Sequence, residues 1–103
     1  MNTIEFTYRT TGGVPAKWTY EIENTEIVEF TNSYALVDQY EELLEGEDFD
    51  VNYVFTGKKK GTTTITFYYS SLDDEIFEVE KHTVKVDKNL HITLLKTEKE
   101  DRY

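Results

Sequence analysis

His82 and His91 are the only imidazoles in the chain, which has no cysteine. Imidazole can ligate a metal or move a proton near neutral pH. The two histidines fall on adjacent expected strands, on either side of a turn at Asp87-Lys88-Asn89. They pair poorly about that turn, and no third ligand follows. Both therefore read as surface strand histidines, and no metal site is expected. Carboxylates are plentiful, but neither Asp73-Asp74-Glu75 nor Glu45-Gly46-Glu47-Asp48 has the alternating oxygen spacing of a dedicated calcium loop. Both read as solvated loop tips. Two acids flanking a glycosidic bond would need a sugar cleft, for which 103 residues leave little room. Gly-rich phosphate loops, Gly-x-Ser-x-Gly elbows and His-Glu-x-x-His motifs are all missing. The expectation is a chain that is not an enzyme and needs no cofactor.

Composition narrows the partner. The net charge is -10, and phosphate backbones repel such a surface, so nucleic acid is excluded as a partner. Anionic membranes are disfavoured for the same reason. Solubility is the plain reading of the charge, and attraction to a basic partner is the functional one. No apolar run approaches the roughly 20 residues that span a bilayer, so no membrane insertion is expected. Met1-Asn2-Thr3-Ile4-Glu5-Phe6 already alternates like a strand and has no signal-peptide core. The expected setting is the cytoplasm, or outside the cell if a leader has been removed, and the expected state is a monomer.

The elements that must position any site are mostly strands. Eight Tyr, six Phe and abundant Thr against one Met suit pleated surfaces. Ile4, Phe6 and Tyr8 alternate with Glu5, Thr7 and Arg9. Trp18, Tyr20 and Ile22 repeat the pattern, and Ile27–Phe30 makes a short third strand. Val51, Tyr53 and Phe55 lead through Gly57-Lys58-Lys59-Lys60-Gly61 to Thr63, Ile65, Phe67 and Tyr69, the clearest hairpin. Between Glu75 and Val86 the inward parity slips from Phe77 and Val79 to Val84 and Val86, which predicts a β-bulge near Lys81-His82-Thr83. Leu90, Ile92 and Leu94 form a last strand. Leu36, Val37, Tyr40, Leu43 and Leu44 recur at helical spacing, with Ser33 placed as N-cap and Gly46 just beyond the end. They predict a short helix over residues 33–44. The expected fold is all-β: an immunoglobulin-like antiparallel β-sandwich of about seven strands with that one helix inserted. Residues 1–96 form the single domain, and 97–103 form a charged, frayed tail.

In such a sandwich alternate loops gather at one end. The loop at residues 10–17, the approach at 45–48 and the loop at 70–74 fall at alternating turns. Loops on a rigid scaffold commonly form binding edges. Thr10, Thr11, Gly12, Gly13, Val14, Gly46, Ser70, Ser71 and Leu72 are the candidate binding residues. Gly12, Gly13, Val14 and Pro15 offer backbone groups and a small apolar tip.

Ile4-Glu5-Phe6 leading into Thr10-Thr11-Gly12 and then Trp18-Thr19-Tyr20 resembles a segment of the chagasin-type inhibitors of papain-like cysteine peptidases, whose pattern is Asn-Pro-Thr-Thr-Gly-aromatic-x-Trp. Val51–Phe55, the Gly61 turn and Ile65-Thr66-Phe67-Tyr68-Tyr69 resemble that family's paired strands. The resemblance covers roughly residues 4 to 86. Arg9 stands before Thr10 where the family has Asn-Pro, and Val14-Pro15 lengthens the loop. Glu45-Gly46-Glu47 lies near the position of its Gly-x-Gly-Gly loop, and Ser70-Ser71-Leu72 replaces its Arg-Pro-Trp loop. The resemblance implies a wedge of three loops entering a peptidase cleft, with Thr10–Val14 nearest the catalytic cysteine and Trp18 as a scaffold residue. An immunoglobulin-like interaction or adhesion module without inhibitory activity is the alternative. The family has a further strand before the one matched by Ile4–Tyr8. The chain instead carries Leu90–Leu94, expected to fold back beside the Glu75–Val86 strand and cover the edge that the missing strand would have covered.

Overall fold

A computed structural model describes residues 2–10, 16–36, 49–71, 73 and 75–101. Seven antiparallel strands run through them: β1 (Thr3–Thr10), β2 (Ala16–Ile22), β3 (Val28–Leu36), β4 (Phe49–Gly57), β5 (Gly61–Ser71), β6 (Ile76–Val86) and β7 (Ile92–Asp101). They form a sheet of order β1-β4-β3 and a sheet of order β2-β5-β6-β7. Lettered as an immunoglobulin sandwich, β1, β4 and β3 take the places of strands B, E and D, and β2, β5 and β6 those of C, F and G. The first strand of that fold has no counterpart among the described residues. β7 pairs antiparallel with β6, as expected from the sequence, but it extends the other sheet and does not cover the edge the first strand would have covered: β1, beside which that strand would lie, remains an edge strand among the described residues. Among the described residues no helix is long and apolar enough to cross a membrane.

Alternation builds the core. Phe6 and Tyr8 on β1, Phe55 on β4, Ile65 and Phe67 on β5, and Val84 and Val86 on β6 are all buried between the sheets. Each such side chain contributes about 1.5–3 kcal/mol by leaving water. Phe67 meets Phe55 edge-on from the opposite sheet, with centroids 5.9 Å apart. Tyr20 on β2 stacks on Phe30 of β3 at 4.9 Å.

Tight turns close one end. Lys58 N and Lys59 N donate to the Ile27 carbonyl at 2.7 and 3.3 Å. Gly61 has φ +153°, and a Cβ there would sit 2.7 Å from Ile27 Cδ1, so glycine is required. The Asp87 carboxylate accepts from the backbone N–H of Asn89 and of His91, both at 2.9 Å. That bracing accommodates Leu90 at φ 64°.

Three further expectations need correction. Ser33–Leu36 continue β3, with Ser33 opposite Tyr53, so Ser33 is not a helix N-cap. The register shift between Phe30 and Asn32 sends Tyr34 to the outer face. There its hydroxyl accepts from Asn52 Nδ2 at 2.8 Å and donates to Glu5 at 3.3 Å. A neighbouring strand supplies the backbone partners that a helix would have supplied internally. The rest of the expected helix, residues 37–44, lies outside the described residues. The bulge expected near Lys81–Thr83 is also misplaced. β6 keeps unbroken register with β5 from Val86 to Glu78. Val79 instead packs on the outer face, opposite Tyr68. The irregularities fall at Phe77, between the Tyr69 and Ser70 pairings, and at Leu95 in β7. Finally, Thr97–Asp101 are not a frayed tail but the paired second half of β7.

Candidate binding end

The strand directions bring six strand termini together. Thr10, ending β1, lies opposite Phe49, which begins β4. Leu36, ending β3, lies opposite Asp50. In the other sheet Ala16, beginning β2, lies opposite Ser71 at the end of β5, and Ser70 is opposite Ile76 at the start of β6. The connections at 11–15, 37–48 and 72–75 therefore all leave and re-enter the sandwich at one end. The turns at 23–27, 58–60 and 87–91 occupy the other.

Trp18 ties the two sheets at that end. Its indole N–H donates to the Arg9 carbonyl at 3.0 Å, and its ring packs on Tyr8 at 4.4 Å and Tyr69 at 4.9 Å. It is half-buried and works as scaffold, fixing where β1 hands over to the 11–15 connection. Arg9 pairs with Asp50 at 3.2 Å across the same end. Both groups are exposed, so this pair is worth at most about 1 kcal/mol.

The candidate binding residues divide into three groups. Thr11, Gly12, Gly13, Val14, Gly46 and Leu72 lie outside the described residues. Thr10 is the last residue of β1. Ser71 organises its own turn: its Oγ accepts from the N–H of Asp73 at 3.2 Å and of Glu75 at 3.1 Å. Ser70 is buried and lines a shallow hollow on the outer sheet face with Thr19, Tyr68 and Ile76. The sequence expectation for it was a loop tip, but the strand is longer than the alternation of Thr63 to Tyr69 marks.

Behind this end lies a polar cluster that sequence reasoning missed. His82 was expected at the surface, yet it is only 3% exposed. Phe6 stacks face to face on its ring at 4.0 Å, and Phe67 meets it edge-on. Nδ1 contacts the Thr97 hydroxyl at 2.9 Å, and Nε2 is hydrogen-bonded with the Tyr8 hydroxyl. The Glu80 carboxylate lies 3.7 Å from Nε2 and has Lys99 at 4.0 Å. Burial, and then the Lys99 charge, lower the His82 pKa to about 4. The imidazole is thus neutral at pH 7, and its approach to Glu80 is not an ion pair there. Burial, reinforced by the negative charge of Glu80, pushes the Tyr8 phenol up. The signal was present in the sequence: His82 shares parity with Val84 and Val86.

Among the described residues no three His, Asp or Glu side chains gather to hold a metal. The chain matches no protein-family model, no curated protein and no solved structure.

Proposed function

We propose that this chain is a protein-binding domain acting through the three connections at one end of its sandwich, in the manner of the chagasin-type inhibitors it resembles, with a papain-like cysteine peptidase as partner. The observation that carries the reading is the convergence of the six strand ends around Trp18. A rigid platform under three adjacent connections is what a cleft-filling wedge needs. No covalent step by the chain is involved, since binding alone blocks the cleft. Charge adds a constraint on the partner. Residues 11–15, 37–48 and 72–75 together hold nine Asp and Glu and no Lys or Arg. The opposite turns, 23–27, 58–60 and 87–91, hold three acidic and four Lys residues. Such polarity steers the acidic end toward a basic rim.

Titration of papain and related peptidases tests this directly. Reversible inhibition, weakened by salt and lost in a Thr11→Asp, Gly12→Val double variant, is expected. Intact peptidase activity across the papain type at micromolar domain would overturn the inhibitor reading, leaving an immunoglobulin-like interaction module.

A further inference from the structure

We infer that His82, Tyr8, Glu80 and Thr97 form an acid-released clasp that fastens the distal half of β7 to the body of the sandwich. β7 divides at its bulge. Ile92, before it, is buried, whereas every side chain described from Thr93 to Glu100 is exposed, Leu95 at 53%. Among the described residues beyond Leu95 no apolar side chain anchors the strand. The ladder to β6, the Thr97 hydroxyl on His82 and Lys99 beside Glu80 help to hold it.

A neutral imidazole has one N–H and one lone pair, and His82 uses both, one ring nitrogen on the Thr97 hydroxyl and the other on the Tyr8 hydroxyl. These contacts run from β7 through β6 to β1. A second ring proton leaves the imidazole no lone pair and places a cation against the Phe6 ring, in a side chain 3% exposed. The ionisable groups around it are Tyr8 from β1, with Tyr53 of β4 beyond it, Glu80 on β6 and Lys99 from β7. β5 faces it with Phe67. Glu80 favours the added proton and Lys99 opposes it, and burial decides the balance.

The sign follows from linkage. His82 titrates lower when clasped, so the clasp holds fully above about pH 6.5 and weakens as the pH falls toward 4. With 6.5 for the released imidazole and about 4 for the clasped one, release becomes up to about twentyfold more favourable between pH 7 and pH 5. Over that interval the net charge moves from -10 toward zero at pI 4.5, which relieves self-repulsion elsewhere. Loosening of β7 therefore runs against the global trend.

Amide hydrogen exchange of the whole chain, read by NMR at pH 7 and pH 5 and corrected for intrinsic rates, tests the clasp. The amides of 96–101 bonded to β6 should lose about tenfold or more in protection, while those of β5 keep theirs. In His82→Gln the pH dependence of β7 should vanish. Thr97→Val, which leaves the imidazole in place, should loosen β7 already at pH 7. Protection in β7 that does not change with pH, or that changes together with β5, would overturn the clasp. So would an undiminished change in His82→Gln.

Discussion

Replacing Tyr8 by Phe removes one buried oxygen and nothing else. The ring keeps its contacts with Trp18 at 4.4 Å and Phe67 at 4.5 Å, so no cavity term enters. The loss is polar. His82, 3% exposed, loses the partner of its Nε2, and the nearest polar group left there is the Glu80 carboxylate at 3.7 Å, beyond hydrogen-bond distance. Leaving a buried polar group short of its partner costs about 1–3 kcal/mol. A net loss of that size is expected. In urea, with a slope of about 1–3 kcal/mol per molar, the midpoint should fall by about 1 M. The assay is equilibrium unfolding at pH 7, followed by tryptophan fluorescence, on wild type, Tyr8→Phe, His82→Gln and the double variant. The two single losses should exceed the double by about 1 kcal/mol or more. Tyr8→Phe within 0.5 kcal/mol of wild type, or full additivity, would refute the hydrogen-bonded chain as a source of stability.

Gly61→Ala should destabilise by about 1–3 kcal/mol, because φ +153° and the side chain of Ile27 both oppose a Cβ. Thermal unfolding reads this, and an unchanged melting temperature would contradict the turn geometry. Truncation after Asp87 removes β7 and bares the β6 edge, which carries Val84 and Val86 on its inner face. Lower stability and concentration-dependent association in sedimentation velocity are expected, and a truncated chain that stays monomeric and equally stable would show that β7 is dispensable.

Alternation alone made most of the sandwich legible. Where a strand buries one face and wets the other, as with Thr63, Ile65 and Phe67, sequence parity and burial agree. It failed where a strand has something to bury on both faces. Val79 is buried outward while Val84 and Val86 are buried inward, and the change of parity looks like a bulge only if every apolar residue must face the core. It failed again at Ser33 and Leu36, read as the start of a helix, where that spacing was outweighed by backbone partners on β4 that lie far away in sequence. The convergence of the three connections was legible because it follows from strand count and direction. The His82 cluster was not, because it depends on which side chains from β1 and β7 meet across the sheets.

The direction of β7 has a practical side. Thr3 pairs with Thr56, next to the tight turns, while Asp101 pairs with Glu78, at the end where the three connections lie. The described chain therefore starts at one pole and finishes at the other. A tag, surface linkage or fused domain joined ahead of Thr3 holds the molecule by its tight-turn pole and presents the connections outward. The same cargo joined after β7 sits among those connections and competes with any partner for the space around them.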